Sequence, residues 1–282
     1  MATGNLIFYH NKKDVIEAVS HPATIAERTR CRRQLDHSLP TPEDLKERHI
    51  RHERMPLEEE SKPLYLTPYE ATIENTNNQR LVNWYPKLEA DDDHYSCASF
   101  LTWYLREYFL SYNLPKGDLI PSGSRYRGLE LLGFGMLSTV SGSPEESWQV
   151  ETAWDTRQRG HPHMKVLIAS GVCPDDKLSK AEVAVIHDVM HRRLRTMHLC
   201  NHKVSPVLLF SVVPMNHIRV IEAFYDGKEL VVRSTKNHDI EHRDLDLIIR
   251  LSRWWVGYPS QKDTRGFAPA ALEEILAARG LV

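Results

Sequence analysis

The chain has 282 residues, of which 41% are hydrophobic and 26% charged, a balance typical of a folded globular protein. Its formal net charge of −2 excludes a strong overall basic field, so a nucleic acid would have to meet a local basic surface. The four cysteines form no CxxC pair, and no apolar run approaches the roughly 20 residues that cross a bilayer. The first residues also lack a secretory signal pattern. We therefore expect an intracellular protein, cytoplasmic or nuclear, with no membrane partner.

Residues 1–60 are predicted to form a charged, helical N-terminal arm. Its third helix begins at Thr41, which can cap the backbone, and Pro42 fits the first helical turn. This helix is predicted to continue to Arg54. Its basic side chains are Lys46, Arg48, His49, Arg51, His52 and Arg54. The arm could meet an acidic protein partner, or its charges could form solvated helical faces. Residues 61–95 are predicted to be a loop-rich connection.

A core domain is predicted over residues 96–282, and it starts with an amphipathic helix at 96–112. Three extended segments follow, at 128–135, 148–156 and 164–170. The next helix has a capping box, in which Ser179 is the N-cap and Glu182 stands three residues later.

The apolar run 207–213 is too short for a typical helix and rich in β-branched residues, which predicts a strand buried on both faces. A hairpin is predicted next, with strands at 218–225 and 228–234 around Asp226 and Gly227, both with positive φ. Two more helices are predicted at 244–255 and 269–279. The predicted class is therefore α+β (mixed α/β), with a central mixed sheet of about five or six strands flanked by helices.

The elements from residue 96 to residue 225 follow the order helix, three strands, helix, strand, strand. This order resembles the restriction-endonuclease-like core of the PD-(D/E)XK superfamily. In that superfamily an acid on the second strand and a Glu-x-Lys on the third hold Mg²⁺ and position the attacking water. The resemblance implies that Glu151, Asp155 and Lys165 are catalytic, and that Glu151 and Asp155 bind Mg²⁺.

The family signature is incomplete in this chain. His163 stands two residues before Lys165, where the family has an acid. The absence of this acid removes a ligand suited to a hard, oxygen-seeking cation. The incomplete signature therefore favours a degenerate protein that acts by binding at least as much as it favours an active nuclease. Glu107 or Glu130 could supply a further carboxylate.

A zinc-dependent hydrolase is an alternative. His187 and His191 are four residues apart on one helical face, the geometry that binds zinc in His-Glu-x-x-His proteases. Asp188 stands where those proteases have the glutamate base, and no third ligand follows on the helix, although Glu222 and His217 lie downstream. The other interpretation is a pair of partly exposed histidines beside the apolar stripe.

The C-terminal two-thirds also resembles a large set of filamentous-fungal hypothetical proteins. The resemblance lies in residues 206–211, residues 222–233 and the pair Trp254-Trp255. It implies a fungal origin and one domain, and it lends no activity. Three functions therefore stay open: a nuclease-like protein that cuts or binds nucleic acid, a zinc hydrolase, and a non-catalytic protein-interaction module.

Overall fold

A mixed β-sheet is the centre of the structure, a computed structural model that describes residues 40–57, 63–69, 79–86, 93–111, 124–127, 147–156, 160–172, 177–194, 196, 199 and 201–266. The strands are β1 (Ile50–Arg54), β2 (Leu66–Thr67), β3 (Ser124–Arg127), β4 (Trp148–Thr156), β5 (Met164–Ser170), β6 (Val207–Val213), β7 (His217–Tyr225), β8 (Leu230–Ser234), β9 (His238–Asp239) and β10 (Tyr258–Pro259). Eight strands form one sheet in the order β1-β8-β7-β6-β5-β4-β3, with β9 paired to β7. The β1–β8 and β5–β6 pairs are parallel and the other neighbours are antiparallel. This confirms the predicted α+β class and mixed sheet, although the sheet has more strands than the five or six expected.

Helices cover both faces of this sheet. They are α1 (Pro42–Glu47), α2 (Gln79–Asn83), α3 (His94–Leu110), α4 (Lys180–Leu194) and α5 (Leu245–Val256). Helices α3 and α5 pack on one face against Trp154, Leu167 and Phe210, and α4 packs on the other against Val166 and Leu209. We call these the α3/α5 face and the α4 face. Every residue of β6 is buried, which confirms the strand predicted from its apolar run. None of the described helices is long and apolar enough to cross a membrane.

The predicted third helix of the N-terminal arm is wrong beyond its first turns. The cap is as predicted, because Thr41 Oγ1 accepts the Asp44 N–H at 3.1 Å, but the helix ends at Glu47. His49 then adopts a positive φ of 54°, and Ile50–Arg54 is strand β1, parallel to β8. The reason is tertiary: burial of Ile50 and pairing with a strand about 180 residues later outweigh local helix propensity. The end of the predicted arm is therefore part of the sheet.

The turns differ from the predictions in detail. In the β7–β8 hairpin only Gly227 has a positive φ, and Asp226 Oδ1 instead accepts the N–H groups of Lys228 and Glu229 at 2.9 Å each. A second hairpin, not predicted, joins β6 to β7 through Met215 and Asn216, both with positive φ. The first core strand is β3, just before the predicted segment 128–135, which lies outside the described residues together with the predicted helices before residue 40 and at 269–279.

The predicted loop-rich connection at residues 61–95 also contains regular structure. Its described residues include helix α2 and strand β2, and α3 begins at His94. Strand β2 pairs with β10 immediately after α5, with Leu66 opposite Pro259. Leu66 is almost fully buried. The connection thus contributes to the layer that covers the α3/α5 face.

Candidate functional site

Lys165, the predicted catalytic lysine, lies on β5 opposite Trp154 of β4. Its side chain is on the α3/α5 face, and its Nζ donates to the Trp255 carbonyl at 2.5 Å and to the Gly257 carbonyl. These carbonyls lie at the C-terminal end of α5, where no N–H group of the helix can donate to them. The lysine supplies the missing donor. Burial lowers the pKa of Lys165 to about 7. In this structure Lys165 is a cap for α5, and its amine is inaccessible to solvent.

Asp155 lies on the opposite side of the sheet. Its neighbour Trp154 packs under α5, so strand alternation turns Asp155 to the α4 face, where Arg193 Nη1 is 3.1 Å from its Oδ2. Arg193 also donates through Nη2 to the carbonyl of His161 at 2.9 Å. Asp155 is 2% exposed and ion-paired, and the sheet separates it from Lys165. The two side chains cannot share a bound ion.

Glu151 returns to the α3/α5 face because of a β-bulge. The register of β4 with β5 shifts between Val150 and Thr152, so Glu151 and Asp155 point to opposite faces although they are four residues apart. Arg106 of α3 donates to Glu151 Oε1 at 2.5 Å and also pairs with Glu107 at 2.8 Å. Trp154, the partner of Lys165, is three residues further along the strand, roughly 10 Å at the usual rise.

The structure therefore does not bring the predicted catalytic residues together. Each of Glu151, Asp155 and Lys165 has an internal partner, and no two of them face a common space. This donor set does not fit Mg²⁺, which requires several oxygen ligands around one point. The candidate Glu107 is paired with Arg106, and Glu130 lies outside the described residues.

His163 lies at the position where the family has an acid, two residues before Lys165 and on the same face. It is 2% exposed, and neither ring nitrogen forms a hydrogen bond of normal geometry with the described residues. Burial, and next the neighbouring His161, lower the pKa of His163 to about 3, so its imidazole is neutral at pH 7; the backbone of Tyr65 opposes this slightly. His202 lies nearby and bonds through Nδ1 to Thr264 Oγ1 at 2.6 Å. His163 and His202 are both buried near the start of β5, and His161 beside them is half-buried.

The alternative zinc pair lies on α4. His191 is buried and His187 is half-buried, and each has an interaction within the fold. Asp188, which stands where the proteases have their base, instead pairs with Arg192 one turn later. Within the described residues, no group of three histidine, cysteine, aspartate or glutamate side chains could hold a metal ion. The downstream residues Glu222 and His217 do not complete such a group.

Strand β7 has two ion pairs that the sequence did not predict, one buried and one partly buried. Arg219 and Glu182 are both at most 1% exposed, and Arg219 Nε donates to Glu182 Oε1 at 2.7 Å while Glu182 also caps α4 through Ser179. Glu222 accepts from Arg233 Nη1 at 2.8 Å. The signal was present, because charged residues interrupt an otherwise apolar strand, and buried charges require partners.

A pocket of about 450 Å³ lies between α1, β1 and the start of α4. Its polar lining includes Lys46, His49, Arg51, His52, Lys177 and Glu229. Arg51 is neutralised by ion pairs with Glu53, Asp226 and Glu229. Neither Lys46 nor Lys177 forms an ion pair within the part of the chain that the structure describes. Among the lysines and arginines that line the pocket, these two have no ion-pair partner within the described residues.

Comparison with known proteins adds no identity. No protein-family model matches the chain, and no curated protein or solved structure matches it. The two resemblances stated from the sequence therefore stay predictions.

Proposed function

We propose that this chain is a non-catalytic, nuclease-like protein that binds nucleic acid without cleaving it. The observation that carries the proposal is the internal engagement of Glu151, Asp155 and Lys165, which lie on two faces of the sheet with separate partners. A metal-dependent nuclease needs its carboxylates and lysine at one point, where the metal can polarise the phosphodiester and activate water. Here those residue types stabilise helix packing.

The order of elements supports the nuclease-like part of the proposal. Strands β3 to β7 lie side by side in chain order, and α4 forms the crossover between the parallel strands β5 and β6. Helix α3 precedes them and packs on the sheet. This is the helix, three-strand, helix, strand, strand order on which the resemblance rests. Topology alone does not carry activity, which depends on the site.

The basic pocket supports the binding part of the proposal. Lys46 and Lys177 present two cations at its rim, and Leu45, Ile50 and Leu178 supply an apolar lining. A phosphate backbone would gain from the lysines through charge neutralisation and counterion release. The sugar or base could contact the apolar lining. Lys46, Leu45 and Ile50 come from the predicted N-terminal arm, whereas Lys177 and Leu178 come from the segment just before α4. This pocket is our candidate for the local basic surface expected from the sequence.

The proposal predicts binding without cutting. Wild-type protein should leave supercoiled plasmid intact in Mg²⁺, and it should bind a fluorescent single- or double-stranded oligonucleotide in a salt-dependent manner. The double variant K46A/K177A should reduce the slope of log affinity against log salt by roughly 2, one unit for each lost phosphate contact. Lys236→Ala, a variant of an exposed lysine elsewhere, should leave the slope unchanged.

Two results would refute the proposal. Mg²⁺-dependent nicking that disappears in Lys165→Met would show that the buried lysine is catalytic after all. Oligonucleotide binding that is absent, or equally strong in wild type and K46A/K177A, would show that the pocket does not bind nucleic acid.

A further inference from the structure

The ammonium group of Lys262 lies over two aromatic rings. Its Nζ is 4.5 Å from the ring centroid of Tyr65 and 5.2 Å from that of Phe224. The two rings are 4.9 Å apart and tilted by 51°, so they form two walls of a corner. Val204 and Val231 pack behind them in the same apolar cluster. This is the arrangement in which aromatic faces attract a cation.

Three carboxylates act on the corner, and one of them, Glu222, is paired with Arg233 at 2.8 Å. Burial, and next the negative charges of Glu222, Asp226 and Asp263, raise the pKa of Tyr65 to about 12. Glu222 is fully buried and fixed by the N–H groups of Leu64 and Tyr65, at 2.9 and 2.8 Å. Burial lowers the pKa of Lys262, and of the charges near its ammonium the attraction of Glu222 is larger than the repulsion of Arg233. The nearby charges therefore favour a cation over a neutral group of the same shape.

Lys262 contributes little to holding its own loop. Its ammonium forms no hydrogen bond or ion pair with the described residues, so the rings are its contact. The loop is fixed independently, because Ser260 Oγ donates to the Leu64 carbonyl at 2.8 Å and the Thr264 carbonyl accepts two backbone N–H groups. The lysine side chain can therefore leave the rings while the backbone stays in place.

We propose that Tyr65 and Phe224 form a binding site for an N-methylated ammonium group, which Lys262 occupies as an internal ligand in the free protein. A quaternary ammonium suits the site better than the lysine does, since it has no N–H groups to satisfy and is more weakly hydrated. Aromatic corners recognise this class of cation in methyl-lysine and choline binding. The tethered lysine competes at a high effective concentration, so it sets a threshold for the external ligand. The site is independent of the nucleic-acid pocket.

The full chain is titrated with each probe, and binding is measured by isothermal calorimetry and NMR. The probes are tetramethylammonium, a trimethyllysine peptide and phosphocholine, so that the source of the N-methylammonium group is distinguished. Lys262→Ser should bind the preferred probe about tenfold tighter than wild type, in line with the loss of one competing cation–π contact. Lys262→Arg keeps a cation over the rings and should stay as weak as wild type.

Two controls decide whether the rings and the charge are responsible. The double variant K262S/F224L should lose the gain, and its thermal transition should be measured to show that it is folded. If it is not folded, K262S/Y65L takes its place. The neutral alcohol 3,3-dimethylbutanol, which has the shape of choline without its charge, should not bind. The proposal is overturned if Lys262→Ser binds no cation tighter than wild type does, or binds the neutral alcohol equally well.

Discussion

Replacing Lys165 with methionine should change how stability depends on pH. Burial lowers the pKa of this lysine to about 7 in the folded protein, against an ordinary value of 10.5. Between these two values the unfolded chain binds a proton that the folded chain does not, so the free energy of unfolding rises with pH through this window. The neutral amine still has two N–H groups for the carbonyls of Trp255 and Gly257, so deprotonation breaks neither hydrogen bond.

The magnitude follows from the shift. Each pKa unit corresponds to about 1.4 kcal/mol, so the full penalty below pH 7 is on the order of 5 kcal/mol. Between pH 7 and pH 9 wild type should regain about 2 kcal/mol that Lys165→Met cannot regain. The variant also leaves two carbonyls without a donor, which costs roughly 1–3 kcal/mol each but does not depend on pH in this range.

Urea unfolding at pH 7, 8 and 9 measures the difference. Tryptophan fluorescence is a suitable probe, because Trp154 and Trp255 are buried beside Lys165. The quantity is the change in unfolding free energy from pH 7 to pH 9 in wild type minus the same change in Lys165→Met, which cancels the other titrating groups. Lys236→Met, an exposed matched control, should behave as wild type. Equal pH dependence in wild type and Lys165→Met would refute the assignment of Lys165 as a buried cap with a lowered pKa.

Three further outcomes follow from buried groups and close contacts. Glu182→Gln should lower the free energy of unfolding in urea by about 3–5 kcal/mol, because it leaves Arg219 buried without its charge partner. Replacing both residues with methionine should recover much of this loss. A double variant as unstable as Glu182→Gln would contradict the explanation. His163→Leu should raise the free energy of unfolding by about 1–3 kcal/mol. In wild type the free energy of unfolding should fall as the pH drops from 6.5 towards 3, because only the unfolded chain binds the proton in this window, and the variant should show a smaller fall. A variant with the wild-type pH slope would contradict this prediction. Gly257→Ala should lower the thermal midpoint, since its Cβ would lie 2.4 Å from a backbone oxygen of β2, whereas Gly266→Ala, with 3.5 Å to its nearest atom, should not.

Local sequence patterns correctly identified much of the scaffold. The bounds of β4, β5 and β6 are as predicted, because apolar and β-branched runs record burial within the segment itself. The cap of α1 at Thr41 and the capping box of α4 at Ser179 and Glu182 also formed as predicted. Caps are decided by residues three positions apart, so no distant partner is needed to recognise them.

Local patterns could not predict the candidate site, because strand register decides which side chains share a face of the sheet. Glu151 and Asp155 are four residues apart and would share a face of a regular strand, and only the β-bulge after Val150 turns them to opposite faces. The face of Lys165 relative to Asp155 depends on its pairing with Trp154, and a slip of one residue would reverse it.

Long-range contacts decided the rest. Strand β1 exists because its backbone pairs with β8, which stands about 180 residues later. The partners of Lys165 come from the end of α5, 90 residues away, and the cation corner joins Tyr65 to Phe224 and Lys262. The sequence by itself determined the buried strands β4, β5 and β6 and the caps of α1 and α4. Only the tertiary structure decided which charged groups meet, since a buried charge is stabilised by whichever partner the fold brings within reach.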